Sequence, residues 1–272
     1  MIPGSRALVK AQQAQQALRA RKSRRSRPDI GIRHPTLSSR AKIQPVLTPR
    51  RTVLWLGVYA AAMGWLEAAV VVYLRRLYYP DDQLTLFPMR IWRTSDLVVE
   101  IGREAATIVM ILAVALLAVP GRTRRVAAFL YVFGVWDLCY YIWLKLALGW
   151  PVSWADWDIL FLIPWAWLAP WFTPAVAALL FALWGGGVLA QVAETAFPRR
   201  ASLLALAGLT LMLASFLEPA LPLLGMSAAA AARFVPSRFL WAVYLPGVAL
   251  LASGLFIGRP GRAGTVAAPP AA

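Results

Sequence analysis

The chain has 272 residues, 60% of them hydrophobic, and only 15% are charged, against about 25% in a soluble domain. Its net charge is +16, but 13 of its 28 Lys and Arg residues precede residue 52, so the remainder is apolar enough to need lipid around it. One cysteine, Cys139, excludes an internal disulfide and a multi-cysteine metal site. One histidine, His34, excludes a bis-histidine haem b and a histidine-based zinc site.

Residues 1–51 hold those thirteen bases and one acid, Asp29. Ala11–Ala20 has the composition of a short helix. Residues 26–50 carry four prolines and few large apolar groups, which reads as a linker. The segment is expected to be a largely disordered cytoplasmic tail that sets topology or touches anionic lipid. A nucleic-acid partner is the weaker reading of the same charge.

Six apolar stretches follow, within a membrane domain expected over residues 52–258. They run over about Thr52–Leu74, Leu97–Val119, Val126–Gly149, a part of Ile159–Val192, Ser202–Leu217 and Phe239–Ile257. All but the fifth reach the roughly 20 residues that a spanning helix needs. Ser95 and Asp96 are candidate N-caps for the second. The fifth is cut short by Glu218-Pro219, and Pro222 opposes its extension. Residues 259–272 read as a disordered C-terminal tail. The fold class is therefore an all-α membrane protein of about six transmembrane helices.

Between the third and fourth spans, Trp150–Pro174 packs six tryptophans and four prolines. Prolines at this density break a helix, and tryptophan favours the membrane interface. The expectation is a short interfacial helix or a re-entrant segment, with the fourth span starting near Phe172. A re-entrant path requires protein to cover its freed backbone groups. Lys and Arg in the loops place both termini in the cytoplasm: Arg122, Arg124, Arg125, Arg199, Arg200, Arg259 and Arg262 join the tail on one side. Arg75, Arg76, Arg90 and Arg93 on the other side are outweighed.

The charges inside the spans carry the functional signal. Glu67 and Glu104 each lie eight residues from a charged boundary residue, roughly 12 Å deep at the helical rise. Asp137 lies twelve residues before Gly149, roughly 18 Å deep and near the bilayer centre. Glu100, Arg103, Glu104 and Thr107 share a helix face, as do Asp137, Tyr141 and Lys145. Asp158 stands in the Trp/Pro segment. Gly57, Ala61, Gly64 and Ala68 form a small-residue stripe, which suits internal packing or dimerisation.

Four strings, Gly64-Trp-Leu-Glu67-Ala-Ala-Val-Val-Val-Tyr-Leu-Arg75, Glu100-Ile-Gly-Arg-Glu-Ala-Ala-Thr107, Gly134-Val-Trp-Asp-Leu-Cys-Tyr-Tyr-Ile-Trp-Leu-Lys145 and Trp157-Asp-Ile-Leu-Phe-Leu-Ile-Pro164, carry a resemblance. Over roughly residues 57–185 the chain resembles a group of uncharacterised bacterial polytopic inner-membrane proteins. The resemblance implies a bacterial inner-membrane location and no particular activity.

Intramembrane ionisable residues are costly and default to a functional site. The leading expectation is binding or passage of a cation, proton or small polar solute through an acidic, outward-facing pocket. Glu67, Glu100, Glu104 and Asp137 would be its acids, with Arg103 tuning them, Lys145 at the mouth, and Tyr141 and Asp158 beside them. A membrane-embedded enzyme using paired carboxylates on a lipid or lipid-linked substrate is the second expectation. A non-catalytic subunit of a membrane complex, or a homo-oligomer, is the third. No cofactor is expected, although a divalent cation on the carboxylates stays open.

Overall fold

The computed structural model describes residues 15–16, 47–88, 90, 93–191 and 197–257. Two compact units divide the chain between Gln44 and Pro45. Of the first, only residues 15–16 are described, and they are helical. The expectations for the rest of the N-terminal tail and for the tail at 259–272 lie outside the described residues.

The second unit begins with α1, Pro49–Tyr78. Proline suits the first turn, where its missing N–H leaves no hydrogen bond unmade. Arg50 and Arg51, expected in the tail, thus belong to this helix. α2 covers Thr94–Ala118 and α3 covers Arg122–Leu148. α2 is capped by Arg93, without a side-chain hydrogen bond, so Ser95 and Asp96 are not its N-caps. Both lie in its first turn, where Asp96 accepts hydrogen bonds from Ser95 and from the Tyr78 hydroxyl. α3 ends as its sequence predicts: Gly149 takes the left-handed conformation (φ 78°), and its N–H donates to Lys145 O at 3.0 Å.

The Trp/Pro segment departs from the expected interfacial helix. No interfacial helix forms; two short antiparallel strands do, β1 (Trp157–Phe161) and β2 (Trp167–Pro170). Asp158 pairs with Ala169 and Ile159 with Leu168, and the register shifts between Ile159 and Phe161. The prolines deny a helix its donors, while Trp, Ile, Phe and Leu suit a pleated strand. Protein groups meet several of the hairpin's free donors. Trp171 N–H donates to Asp156 O at 3.0 Å, and Trp165 Nε1 donates to Ala220 O at 3.2 Å. Asp156 accepts from the Val152 and Ser153 amides, which fixes the turn leading in.

α4 follows over Phe172–Leu189, beginning where the sequence places it. α5 spans Arg199–Leu217 and runs on as a 3-10 helix, Glu218–Gly225, because Pro219 and Pro222 remove α-helical donors. A single turn, α6 (Ala228–Ala231), precedes α7, Trp241–Ile257. Five of these helices are long and apolar enough to cross a membrane: α1, α2, α3, α4 and the Arg199–Gly225 run; α7 is apolar but 17 residues long. A mostly helical, multi-pass membrane fold results.

Glycines set the helix contacts. The small-residue stripe of α1 packs internally: a Cβ on Gly64 would lie 2.9 Å from Trp136 O, and Trp143 Nε1 donates to Ala61 O. A Cβ on Gly134 would lie 2.3 Å from Ala178 O, and one on Gly185 would lie 2.5 Å from Ala127 O, so α3 and α4 run antiparallel at near backbone contact. Gly208 against Leu251 and Gly254 against Ala205 do the same for α5 and α7. Small residues permit this approach where helices associate without a hydrophobic drive between them.

Gly134→Ala is expected to destabilise the fold by about 1–3 kcal/mol, because backbone rather than a movable side chain meets the new methyl. Nothing lies within 4 Å of a Cβ at Gly102, so Gly102→Ala should be neutral or stabilise by about 0.5–1 kcal/mol through helix propensity. Thermal unfolding in detergent compares the two.

Candidate functional site

Four elements and one loop converge on a cavity of about 780 Å³, mouth included. α1 supplies Glu67, Val71, Leu74 and Arg75. α2 supplies Glu100, Arg103 and Glu104. α3 supplies Trp136, Asp137, Tyr140 and Tyr141, and the hairpin supplies Asp158–Leu162. Tyr79 and Leu86, from the loop after α1, close its rim. Seven residues singled out by sequence therefore share one wall: Glu67, Glu100, Arg103, Glu104, Asp137, Tyr141 and Asp158. Lys145 is not among them. It is exposed and donates to Gly149 O at 2.9 Å and Pro151 O at 2.7 Å, which finishes the C-terminus of α3.

Arg103 is the centre of the polar network. Its Nε and Nη2 hold both oxygens of Glu100 at 3.0 and 2.6 Å, and its Nη1 pairs with Glu67 on α1. This fork is the geometry in which guanidinium binds carboxylate most strongly. Thr107 Oγ1 donates to Arg103 O at 3.0 Å. Glu104 takes a different partner. Its oxygens accept the Leu162 N–H at 2.9 and 3.2 Å, so an acid of α2 holds the tip of the hairpin. Asp158, 2% exposed, accepts the Tyr141 hydroxyl at 3.0 Å and the Ile159 N–H at 3.0 Å.

Several polar atoms remain buried and unpaired. Among the described residues, the buried side-chain atoms without a hydrogen-bond partner are Arg75 Nε and Nη2, Trp136 Nε1, Asp137 Oδ2 and Trp167 Nε1. The first three of these side chains line the cavity. Trp167 lines a second cavity, walled by apolar residues of α3, α4, α5 and the hairpin. The two cavities have Asp137, Leu160 and Phe161 in common. Native proteins leave few buried polar groups unpaired, and here they gather at these two spaces.

Sequence reading missed Arg75, counting it as a loop charge. It is 2% exposed, stacks its guanidinium 4.1 Å from the Trp150 ring centroid, and donates through Nη1 to Gln83 O at 3.2 Å. The signal was present: Glu67, Val71 and Arg75 stand at i, i+4 and i+8 on one helical face. The loop beyond is held down by Tyr79, whose hydroxyl donates to Leu86 O at 2.9 Å and accepts the Arg90 N–H at 3.0 Å. Burial keeps that phenol above its ordinary pKa, so it stays a neutral donor. In the same loop, hydrogen bonds from the Thr85 hydroxyl and the Leu84 amide hold the Asp82 carboxyl below its usual range.

No protein family, curated protein or solved structure matches this chain. Among the described residues, no group of three or more His, Cys, Asp or Glu side chains is placed to hold a metal ion.

Arg103→Met is expected to cost about 3 kcal/mol, because breaking a largely buried pair strands the remaining charge. Adding Glu67→Gln and Glu100→Gln should recover part of that loss, since neutral partners need no counter-charge. Thermal unfolding of the single and triple variants measures this. A triple variant less stable than Arg103→Met would contradict it.

Proposed function

We propose that this chain is a six-span protein of a bacterial inner membrane. Its acidic pocket, open to the outer face, binds or passes a cation, proton or small polar solute. The observation that carries the reading is Asp137. One of its carboxylate oxygens is buried without a partner, inside an apolar bundle, on the wall of a cavity lined by four further carboxylates and two arginines. A carboxylate so placed needs a proton, a cation, water or a ligand group to offset its charge.

Two further features support the topology. α7 lies antiparallel along α5 at glycine-mediated contact, which makes its 17 residues a sixth span, within the range of membrane helices. An even number of spans puts Arg122, Arg124, Arg125, Arg199 and Arg200 on the side of both termini, the cytoplasmic side by the positive-inside rule. The cavity is rimmed at the other end of α1, by Arg75 and Tyr79, and so faces outward. The hairpin then acts as a re-entrant element, tolerated because Glu104, Ala220 and Asp156 meet its backbone and indole donors. The bacterial inner membrane rests on the sequence resemblance described above.

One observation favours a second reading, an enzyme acting on a lipid or lipid-linked substrate. The apolar cavity meets the polar one at Asp137, as an acyl chain and a polar head would require.

Proteoliposomes of the full chain, with entrapped pH-sensitive and Na⁺-sensitive dyes and Na⁺ outside, test the first reading. Under an inside-negative potential they should take up protons or Na⁺ faster than protein-free liposomes. Asp137→Asn, nearly isosteric, should fall to the protein-free rate, while Asp82→Asn should not. Wild-type rates equal to those of empty liposomes, or full activity in Asp137→Asn, would count against it.

A further inference from the structure

We propose that the polar cavity binds an extended zwitterion, with an oxyanion on Arg75 and a protonated amine at Asp137. This rests on the reading of the cavity as a solute site and names the class of solute.

The polar groups that line the cavity differ in how far their hydrogen bonds are taken. Arg103 is used up by Glu67 and Glu100, Glu104 by the Leu162 amide, and Asp158 by Tyr141 and Ile159. Two charged groups differ from these in keeping a buried polar atom with no hydrogen bond. Arg75 is 2% exposed, yet its Nε and Nη2 have no partner; the Asp158 carboxylate lies within electrostatic reach of it, but no carboxylate makes an ion-pair contact with it among the described residues. Nε and Nη2 are the side-on edge of the guanidinium, whose two parallel N–H groups match a carboxylate or phosphate. The other edge is engaged: Nη1 donates to Gln83 O, and the Trp150 ring lies 4.1 Å from the cation. The guanidinium is thereby held by two contacts that leave its anion-binding edge buried and without an acceptor, beside the cavity that the arginine lines.

The second is Asp137 Oδ2, a buried and unpaired acceptor that a positively charged donor can meet. A ligand with only an anion leaves Asp137 unmet, and one with only a cation leaves Arg75 unmet. An oxyanion and an ammonium in one molecule meet both.

The register of α1 on α3 sets the spacing. Gly64 packs beside Trp136 and Tyr140, which places Asp137 near its level. Arg75 stands eleven residues beyond Gly64, roughly 16 Å along the helix axis. The two ends of glycine are too close together to bridge it. A longer chain between the charges is required.

Binding to the purified full chain in detergent, by calorimetry and thermal shift, tests the inference. The probes are glycine, γ-aminobutyrate and ε-aminocaproate; propionate and propylamine carry one charge each; glycerophosphoethanolamine presents the same pair of charges as a lipid headgroup. Affinity should rise from glycine to ε-aminocaproate, and each single-charge probe should bind at least about tenfold more weakly than the best zwitterion. Arg75→Lys keeps the charge over Trp150 but loses the fork, and should weaken zwitterion binding by about tenfold or more. Asp137→Asn should do so as well, which keeps the test intact if Arg75→Lys fails to fold. Tighter binding of glycerophosphoethanolamine than of the amino acids assigns the site to a headgroup, and the reverse order assigns it to a free solute. Propylamine binding as well as any zwitterion would overturn the proposal while leaving the acidic-pocket reading in place. So would no probe binding in a protein whose Asp137-dependent ion flux persists. Absence of both binding and flux would remove the two together.

Discussion

Arg103 joins the two carboxylates that an apolar bundle could not otherwise hold, and the placement of α2 follows from that contact. α2 turns much of its surface outward, with Val98, Val99, Val109 and Leu117 all exposed. Its polar face ties it to α1 and the hairpin, where Arg103 reaches Glu67 and Glu104 takes the Leu162 amide, while Ile111 and Ala115 pack into the apolar core. Away from water, such groups cost several kcal/mol if left alone, so each partner specifies a position. The same demand gives the hairpin its seat. A strand pair among helices has backbone donors to satisfy, and an acid of α2 meets one at its tip.

Apolar packing does the complementary work. α3 and α4, and likewise α5 and α7, approach to backbone contact over glycine and alanine. Packing that tight leaves no interior room between those pairs. Space opens where the hairpin, rather than a helix, lies against α3. One side of that space is charged and the other apolar, with Asp137 at the junction. On the proposed reading, the hairpin is the device that turns a helical bundle into a binding site.

Much of this was written in the sequence. Runs of apolar residues bounded by charge gave the first four spans to within a few residues, because lipid thickness and the helical rise leave little choice. Intramembrane charge drew attention to Glu67, Arg103, Glu104 and Asp137 for the same energetic reason that brings the structure's polar groups together. The hairpin was not legible. Proline density told against a continuous helix, but a two-stranded pair depends on Glu104, 58 residues away from the amide it holds. Helical spacing set Arg103 between Glu100 and Glu104, yet only a neighbouring helix could supply Glu67. Arg75 was hidden by its place at a helix end, where a base usually reaches water. Lys145 was over-read: its shared face with Asp137 and Tyr141 does not bring it to the cavity, because it turns to cap its own helix.

The account stands on Asp137 facing a polar, solvent-reachable space from the middle of a membrane helix. Asp137→Cys in a Cys139→Ser background, in native membranes, tests this directly with a small cationic methanethiosulfonate reagent added from the outer side. The new thiol should react rapidly, whereas Val109→Cys, on the exposed apolar face of α2, should not. If the thiol at 137 stayed as unreactive as the one at 109, the polar cavity would not reach Asp137 and the account would fail.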